Sequence, residues 1–337
     1  MPFAPPDSFL VVRGTEIAEL IDGNRDACVE AVRDAYLTHA RGDSSLPHSA
    51  FLRLPGRERE RVIALPAYLG GRFDVSGVKW IASWPENVRH GLARASAVLV
   101  LNDTGTGFPY ACLESSVISA TRTAASAVLG AQELIGARHA ERAGFIGTGL
   151  IADHIRRFLL ELGWKIGGFR LFDVDEKAAG RFARSLRESD MPDVEVAGDA
   201  REVFDSCDLV VLATVAGTPH LDDPAILRHA PTVLHVSLRD LDPSVIAVAQ
   251  NVTDDVDHVM RERTSLHLTE QRLGHRGFVD GTLADVMEGR LARDPGRAAV
   301  FSPFGLGVLD LAVGKWVYDR TIERGGGSPV HGFFPVA

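Results

Sequence analysis

The chain offers little for cross-links, membranes or metals to act on. Its three cysteines, Cys28, Cys112 and Cys207, stand far apart and form no Cys-x-x-Cys pair. That excludes a disulfide framework and suits reduced residues in a cytoplasmic protein. No apolar run approaches the roughly 20 residues that span a bilayer; the longest, such as Ala97-Val98-Leu99-Val100-Leu101, have the length of a strand. The N-terminal Met1-Pro2-Phe3-Ala4-Pro5-Pro6 has no basic stretch followed by an apolar core, so no signal peptide is expected. Twelve histidines show no His-Glu-x-x-His spacing, and no catalytic metal is expected. No Gly-x-Ser-x-Gly or Cys/His arrangement points to a nucleophile. A formal charge of −9 argues against nucleic-acid and anionic-membrane partners.

What is present is a soluble composition, 45% hydrophobic and 24% charged, on 337 residues, enough for two domains. In the middle of the chain the apolar run Ala143-Gly144-Phe145-Ile146 ends in Gly147-Thr148-Gly149-Leu150-Ile151-Ala152, and a helical pattern follows at once. Gly147 permits a tight strand-to-helix turn. Gly149, without a Cβ, lets a diphosphate lie against the main chain, and Ala152 lets the helix pack on the sheet. The helix start favours an anion. A second strand pattern, Phe169–Phe172, ends in Asp173, twenty-six positions after Gly147. A carboxylate there suits the ribose diol of NAD and repels the 2′-phosphate of NADP.

Ser8 to Arg13 has the pattern of a strand, and Glu16 to Ala40 that of two helices divided at Gly23-Asn24. Strand candidates follow at 48–54, 61–65, 75–82, 97–102 and 110–114, separated by turn residues, as a mostly antiparallel region. The run Arg57-Glu58-Arg59-Glu60-Arg61 reads as a solvated hairpin loop. From Ser119 the pattern is helical and rich in small residues. Strands at 143–146, 169–172, 194–196, 209–213, 232–237 and 251–252 then alternate with helices, which predicts a doubly wound parallel sheet. A last helix covers about 304–324. The fold class is thus α/β: a Rossmann-type domain, residues 123–303, plus a discontinuous β-rich α+β domain, residues 1–122 with 304–337.

A dinucleotide fold does not name a reaction. Lys79, Arg53 and Arg122 interrupt apolar or small-residue stretches, and Asp240 follows the fifth strand of the parallel sheet, at the end where ligands bind. Each has a plainer reading. Arg53 and Lys79 fit solvent-facing strand positions, Arg122 fits a partner of Glu114 or another acid, and Asp240 fits a turn before Asp242-Pro243.

Four segments together resemble the ornithine cyclodeaminase/μ-crystallin family: Gly77-Val78-Lys79-Trp80, Ser119-Ala120-Thr121-Arg122-Thr123-Ala124-Ala125, Gly147-Thr148-Gly149 and Phe304-Gly305-Leu306-Gly307-Val308-Leu309-Asp310. The likeness covers essentially the whole chain. Within the family the sequence is most similar to the N-(2-amino-2-carboxyethyl)-L-glutamate dehydrogenases of 2,3-diaminopropionate biosynthesis, through Ile63-Ala64-Leu65-Pro66, Gly77 to Ser83 and Leu113 to Ser119. Cyclodeaminases usually carry a glutamate and a methionine before this proline, where this chain has Ile63 or Ala64 and Leu65.

The resemblance implies an NAD-dependent enzyme acting on an amino acid, and a homodimer. It implies that Arg53, Lys79 and Arg122 bind substrate carboxylates and that Asp240, with Lys79, serves the chemistry. The implied cofactor set is Gly147, Thr148, Gly149, Leu150, Ile151, Asp173, Thr214, Val215, Ser237 and Gly305. The implied reaction is oxidation of N-(2-amino-2-carboxyethyl)-L-glutamate by NAD, followed by hydrolysis to 2,3-diaminopropionate and 2-oxoglutarate. Ornithine or lysine cyclodeamination, ketimine reduction and a non-catalytic crystallin-like role remain as alternatives.

Overall fold

The computed structural model describes residues 8–191 and 193–335, apart from the side chain of Glu58. The N-terminal stretch Met1 to Pro6 read above lies outside the described residues. The chain divides into two compact units, Met1–Arg122 with Leu306–Ala337 and Thr123–Gly305. The second crossing falls two residues beyond the expected 303/304 border, because Phe304 and Gly305 donate their backbone N–H groups to Asp254 of the second unit, at 2.9 and 2.7 Å.

The first unit opens with β1 (Ser8–Val12), α1 (Gly14–Ile21) and α2 (Arg25–Ala40). Gly23, at φ +75°, makes the expected break between the helices. Next come β2 (Ser44–Ser45), β3 (Ala50–Leu54), β4 (Arg57–Leu69), β5 (Val75–Ser83), β6 (Ala95–Asp103) and β7 (Pro109–Glu114), and the chain enters α3 (Ser116–Ile135). The charged run Arg57 to Arg61 is not a hairpin loop. It is the first part of β4, and the turn is only Pro55-Gly56. Beyond Arg61 this end of β4 has no partner in β5, so Arg57 and Arg59 stay in water, and a polar composition there conceals a strand.

The second unit begins with β8 (His139–Ala140), β9 (Ala143–Ile146), α4 (Leu150–Glu161), β10 (Lys165–Ile166), β11 (Phe169–Phe172), α5 (Glu176–Arg187), β12 (Val194–Val196), α6 (Ala200–Ser206) and β13 (Leu209–Leu212). It continues with β14 (Thr232–His235), α7 (Pro243–Ile246), β15 (Gln250–Thr253), α8 (Val256–Val259), α9 (Ser265–Leu273), β16 (Val279–Thr282), α10 (Leu283–Met287) and β17 (Ala299–Ser302). The main sheet runs β12-β11-β9-β13-β14-β17-β15-β16, with every pair parallel. Strands β9, β13, β14, β15 and β17 are buried at every position, as expected when both faces of a sheet are covered. Helix α5 buries Ala179, Phe182, Ala183 and Leu186, one face at helical spacing, and Asp175 caps its first turn. Two strands of this sheet, β16 and β17, escaped the sequence reading. Each is four residues long, and β17 enters the sheet between β14 and β15, far from its neighbours in sequence.

The chain returns to the first unit as α11 (Gly307–Glu323) and β18 (Ser328–His331). The sheet there has the order β18-β1-β7-β6-β5-β4-β2, with β3 also on β4; β1 and β7 are parallel and the other pairs antiparallel. Helix α11 lies close on this sheet. A Cβ on Gly314 would come within 2.2 Å of Leu99 Cδ2. Among the described residues no helix is long and apolar enough to cross a membrane, and no group of three or more His, Cys, Asp or Glu could hold a metal.

Within the second unit α3 approaches β17 at Gly130, where a Cβ would lie 2.4 Å from Cδ1 of the fully buried Phe301. Alanine is the better helix former by about 1 kcal/mol, but overpacking a closed core costs about 1–3 kcal/mol. The clash is with a ring that has no room to turn, so packing wins. Gly130→Ala should lower the thermal midpoint in a calorimetric scan; an unchanged or raised midpoint would show that Phe301 can yield.

Candidate functional site

In the second unit the chain leaves β9, passes to β11 and β12 on one side, and returns to β13 on the other. A crevice opens where strand order reverses in this way, at the carboxyl ends of the strands. Gly147 turns there at φ +85°, and a Cβ on it would lie 2.6 Å from the Ala213 carbonyl. Gly149 is the N-cap of α4 and has no side-chain cap, so the first-turn N–H groups are open to an anion. No atom would lie within 4 Å of a Cβ on Gly149. Leu150, Val174 and Val215, which follow the adjacent strands β9, β11 and β13, are apolar yet 66%, 93% and 75% exposed. Apolar lips around an open anion-binding turn fit a dinucleotide, diphosphate on the main chain and flat rings against the side chains. Asp173 stands at the end of β11. Its Oδ2 accepts from Thr148 N at 2.7 Å and Thr148 Oγ1 at 2.8 Å, and its Oδ1 accepts from Asp175 N at 2.9 Å. The carboxylate is thus fixed beside the glycine turn, where it can meet a ribose diol.

Asp240 lies in the same unit in the loop after β14, fully buried. Its Oδ1 accepts from the Thr214 hydroxyl and faces His220 Nε2 at 3.2 Å, and its Oδ2 accepts from the Ser237 hydroxyl. Burial alone would raise its pKa, but the hydrogen bonds, that of His220 foremost, outweigh it and hold the carboxyl well below the usual range. His235 Nε2 approaches Oδ2 at 3.3 Å, yet it accepts the Asp240 backbone N–H at 3.2 Å, so its ring proton sits on Nδ1, 3.2 Å from Ser302 Oγ. His235 therefore fixes the loop rather than donating to the carboxylate. Leu238 adopts φ +69° in this loop, a conformation costly for a residue with a Cβ. The expectation that Asp240 itself acts as the base meets a physical objection. A carboxylate so well supplied with donors binds a proton weakly.

Of the other cofactor candidates, Ser237 is committed to Asp240, and Gly305, at φ +91°, is committed to Asp254. Asp254 is buried and also accepts from Asp255 N at 2.9 Å. Burial raises its pKa, and the backbone donors oppose the rise. This carboxylate shapes the Ser302–Gly305 turn.

In the first unit Lys79 and Arg122 are held together by a residue that the sequence reading did not single out for a role. Asp310 on α11 accepts from Lys79 Nζ at 2.7 Å through Oδ2 and from Arg122 Nε at 3.2 Å through Oδ1, and Ser119 Oγ lies 3.1 Å from Lys79 Nζ. Lys79 is buried, not solvent-facing, and Arg122 pairs with an acid, as its plainer reading had it, namely Asp310. Burial pulls the Lys79 pKa down, Asp310 pushes it back up and Arg122 lowers it, to a value of about 8. Two cations against one anion leave a surplus positive charge for a carboxylate ligand. Arg53 is not gathered into this cluster. It sits exposed on β3, its guanidinium 5.6 Å from the Phe51 ring centre. Through the register Arg53–Arg61–Ser83 it lies four positions from Lys79 along β5, roughly 13 Å at strand rise.

The signal for Asp310 was present in the sequence: it is the one charge in the apolar run Gly307 to Gly314, and a buried acid needs a cation. His220, His235 and Asp254 carried no such signal, since each is identified only by a partner distant in sequence.

The chain matches the ornithine cyclodeaminase/mu-crystallin family over residues 14–325. It is 26% identical to the N-((2S)-2-amino-2-carboxyethyl)-L-glutamate dehydrogenase of Staphylococcus aureus, covering 96% of this chain and 98% of that one. An archaeal alanine dehydrogenase dimer with bound NAD superposes with a TM-score of 0.85 at 25% identity, over 97% of this chain and 100% of the other. The fold is likewise that of the Thermococcus litoralis Delta(1)-pyrroline-2-carboxylate reductase in complex with NADH and L-proline, with a TM-score of 0.86 at 24% identity, over 96% of this chain and 100% of that one. A match to the family from Gly14 to just past the end of α11 takes in both units, and the chain belongs to the ornithine cyclodeaminase/mu-crystallin family.

Proposed function

We propose that this protein is an NAD-dependent amino-acid dehydrogenase whose substrate is N-(2-amino-2-carboxyethyl)-L-glutamate, cleaved oxidatively to 2,3-diaminopropionate and 2-oxoglutarate. The observation that carries the cofactor part is the open turn at Gly149 beside the Asp173 carboxylate. The Staphylococcus aureus relative supports the substrate, together with the apolar Ile63-Ala64-Leu65 where cyclodeaminases carry glutamate and methionine. Imine reduction is the second reading, favoured by the likeness to the pyrroline-carboxylate reductase fold.

The second unit holds the cofactor. Gly147, Thr148, Gly149, Leu150 and Ile151 receive the diphosphate, Asp173 the adenine ribose, and Thr214, Val215, Ser237 and Gly305 complete the set. Bound there, NAD supplies a two-electron acceptor for the hydride on the substrate's α-carbon. The first unit binds substrate. Arg122, with only Nε spent on Asp310, offers its remaining N–H donors to a carboxylate, and Lys79 adds charge. Arg53 is assigned to a more distant carboxylate. Asp240 stays anionic and anchors the groups that move protons when the imine is hydrolysed. Dimerisation is assigned to the outer face of the first unit's sheet, where Leu52, Trp80 and Val98 are exposed; the archaeal alanine dehydrogenase is a dimer.

Gly149 has φ −80°, which any residue adopts, and space around it. Gly149→Val should therefore keep the melting temperature while weakening NAD binding at least tenfold by calorimetry. Undiminished binding would remove the diphosphate from this turn.

With the proposed substrate, NADH should appear in step with 2-oxoglutarate, and Arg122→Ala should raise KM about tenfold, the scale of one lost charge-assisted contact. In the wild type, KM should also rise above about pH 8, as Lys79 loses its proton and the cluster its surplus charge. Ammonia released from ornithine or lysine without net NADH would make the protein a cyclodeaminase. NADH consumed with a cyclic imino acid alone would make it a reductase.

Trp80→Glu buries a charge in the proposed dimer face and should convert a sedimenting dimer to a monomer. A monomeric wild type would end that assignment.

A further inference from the structure

We propose that the group that moves protons in this site is His220, with Asp240 as the residue that orients it. This rests on the hydrolytic reading above. The pair is built by the backbone. His220 N and Leu221 N both donate to the Asp240 carbonyl at 2.9 Å, Asp242 N donates to the Leu221 carbonyl at 2.9 Å, and Leu221 and Leu241 form a parallel bridge. The segment after β13 is thereby stapled along the loop after β14, which brings the imidazole onto a carboxylate twenty positions away.

The two residues divide the labour by exposure. The Asp240 side chain is sealed from solvent, with the Thr214 and Ser237 hydroxyls also donating to its oxygens, whereas the His220 side chain is 42% exposed. Only His220 can meet both a substrate and water. Because Asp240 only accepts, His220 donates from Nε2, which leaves Nδ1 with the lone pair. Nδ1 has no protein partner among the described residues. Among the described residues the charged group that bears on the ring is Asp240, on Nε2; His235 lies behind Asp240, and Asp222 and Asp223 follow along the same segment. Asp223 is engaged by Arg201 at 2.6 Å. The hydrogen bond that His220 donates to Asp240 raises the His220 pKa above its ordinary 6.5, against the opposing effect of partial burial.

The step balances with water as the only added reactant. As water oxygen bonds to the carbon of the protonated imine, Nδ1 takes one of its protons. It gives that proton to the nitrogen of the carbinolamine, and the C–N electron pair leaves with nitrogen. As the carbonyl forms, Nδ1 takes the hydroxyl proton and passes it to the released amine. The products are a 2-oxo acid and an ammonium, and His220 ends as it began.

His220 lies at the surface, so His220→Gln should fold. Its kcat with the proposed substrate should drop by about 10²-fold, the usual worth of a positioned acid/base group. Its KM should change little, and added imidazole should restore part of the rate. In the wild type kcat/KM should fall at low pH through a limb above pH 6.5, the limb of a base that must be free, and the variant should lack it. Independently of turnover, NMR titration of the His220 ring should give a pKa above 6.5 that moves down in Asp240→Asn. A variant that keeps kcat and the acid limb, or that changes KM alone, overturns the proposal. So does a ring that titrates at its ordinary value and is unmoved by Asp240→Asn, whatever the substrate proves to be. If the wild type cleaves no N-substituted glutamate, it is the substrate reading that fails, and the ring titration still decides the pair.

Discussion

A carboxylate withdrawn from water must be met by donors or cations, because an unmatched buried charge costs several kcal/mol. Asp240, Asp254 and Asp310 are all buried, and each organises a different part of this protein. Asp310 draws Lys79 and Arg122 to one point of the first unit. Asp254 collects three backbone N–H groups and so shapes the Ser302–Gly305 turn. Asp240 gathers two hydroxyls and an imidazole at the carboxyl edge of the parallel sheet. The matching differs in kind, and the chemistry differs with it.

The pairing with Asp310 changes what the cations of the first unit are. As bare cations, Lys79 and Arg122 would form a simple clamp. Tied to Asp310 they carry one surplus charge, and Lys79 sits near its own titration point. A carboxylate bound there, as proposed, would enter a balance among four charges, sensitive to any change in one of them. The same residues are structural, since α11 approaches the sheet closely enough that Gly314 touches Leu99. In the proposed reading, stability and ligand binding draw on one set of contacts.

In the second unit the division is between a rigid floor and a reactive rim. The central strands are buried on both faces and hold the loop ends in register. The residues just beyond them, Leu150, Val174 and Val215, are exposed although apolar, and Gly149 is left open. Groups that do chemistry must stand at this rim, yet they must also be oriented. His220 meets both needs by leaning on a carboxylate that never leaves the interior.

Much of this was readable along the chain, for a physical reason. The β9 to α4 turn, Asp173, and the strands at 143–146, 169–172 and 194–196 are local. Their side chains declare burial by period, and glycine declares a backbone need wherever it stands. Asp240, Lys79 and Arg122 could be picked out as polar residues in the wrong company. What they touch could not. Asp310 stands 231 positions from Lys79 and His220 twenty from Asp240, and nothing in the intervening residues encodes either pairing. The charged run at Arg57 misled because strand pairing, not polarity, decides whether a segment is a loop. The four-residue β17 was invisible because its partners β14 and β15 come from elsewhere in the chain. Sequence determines which residues need a partner; only the tertiary structure decides which partner each one gets, because contact is set by the fold and not by spacing along the chain.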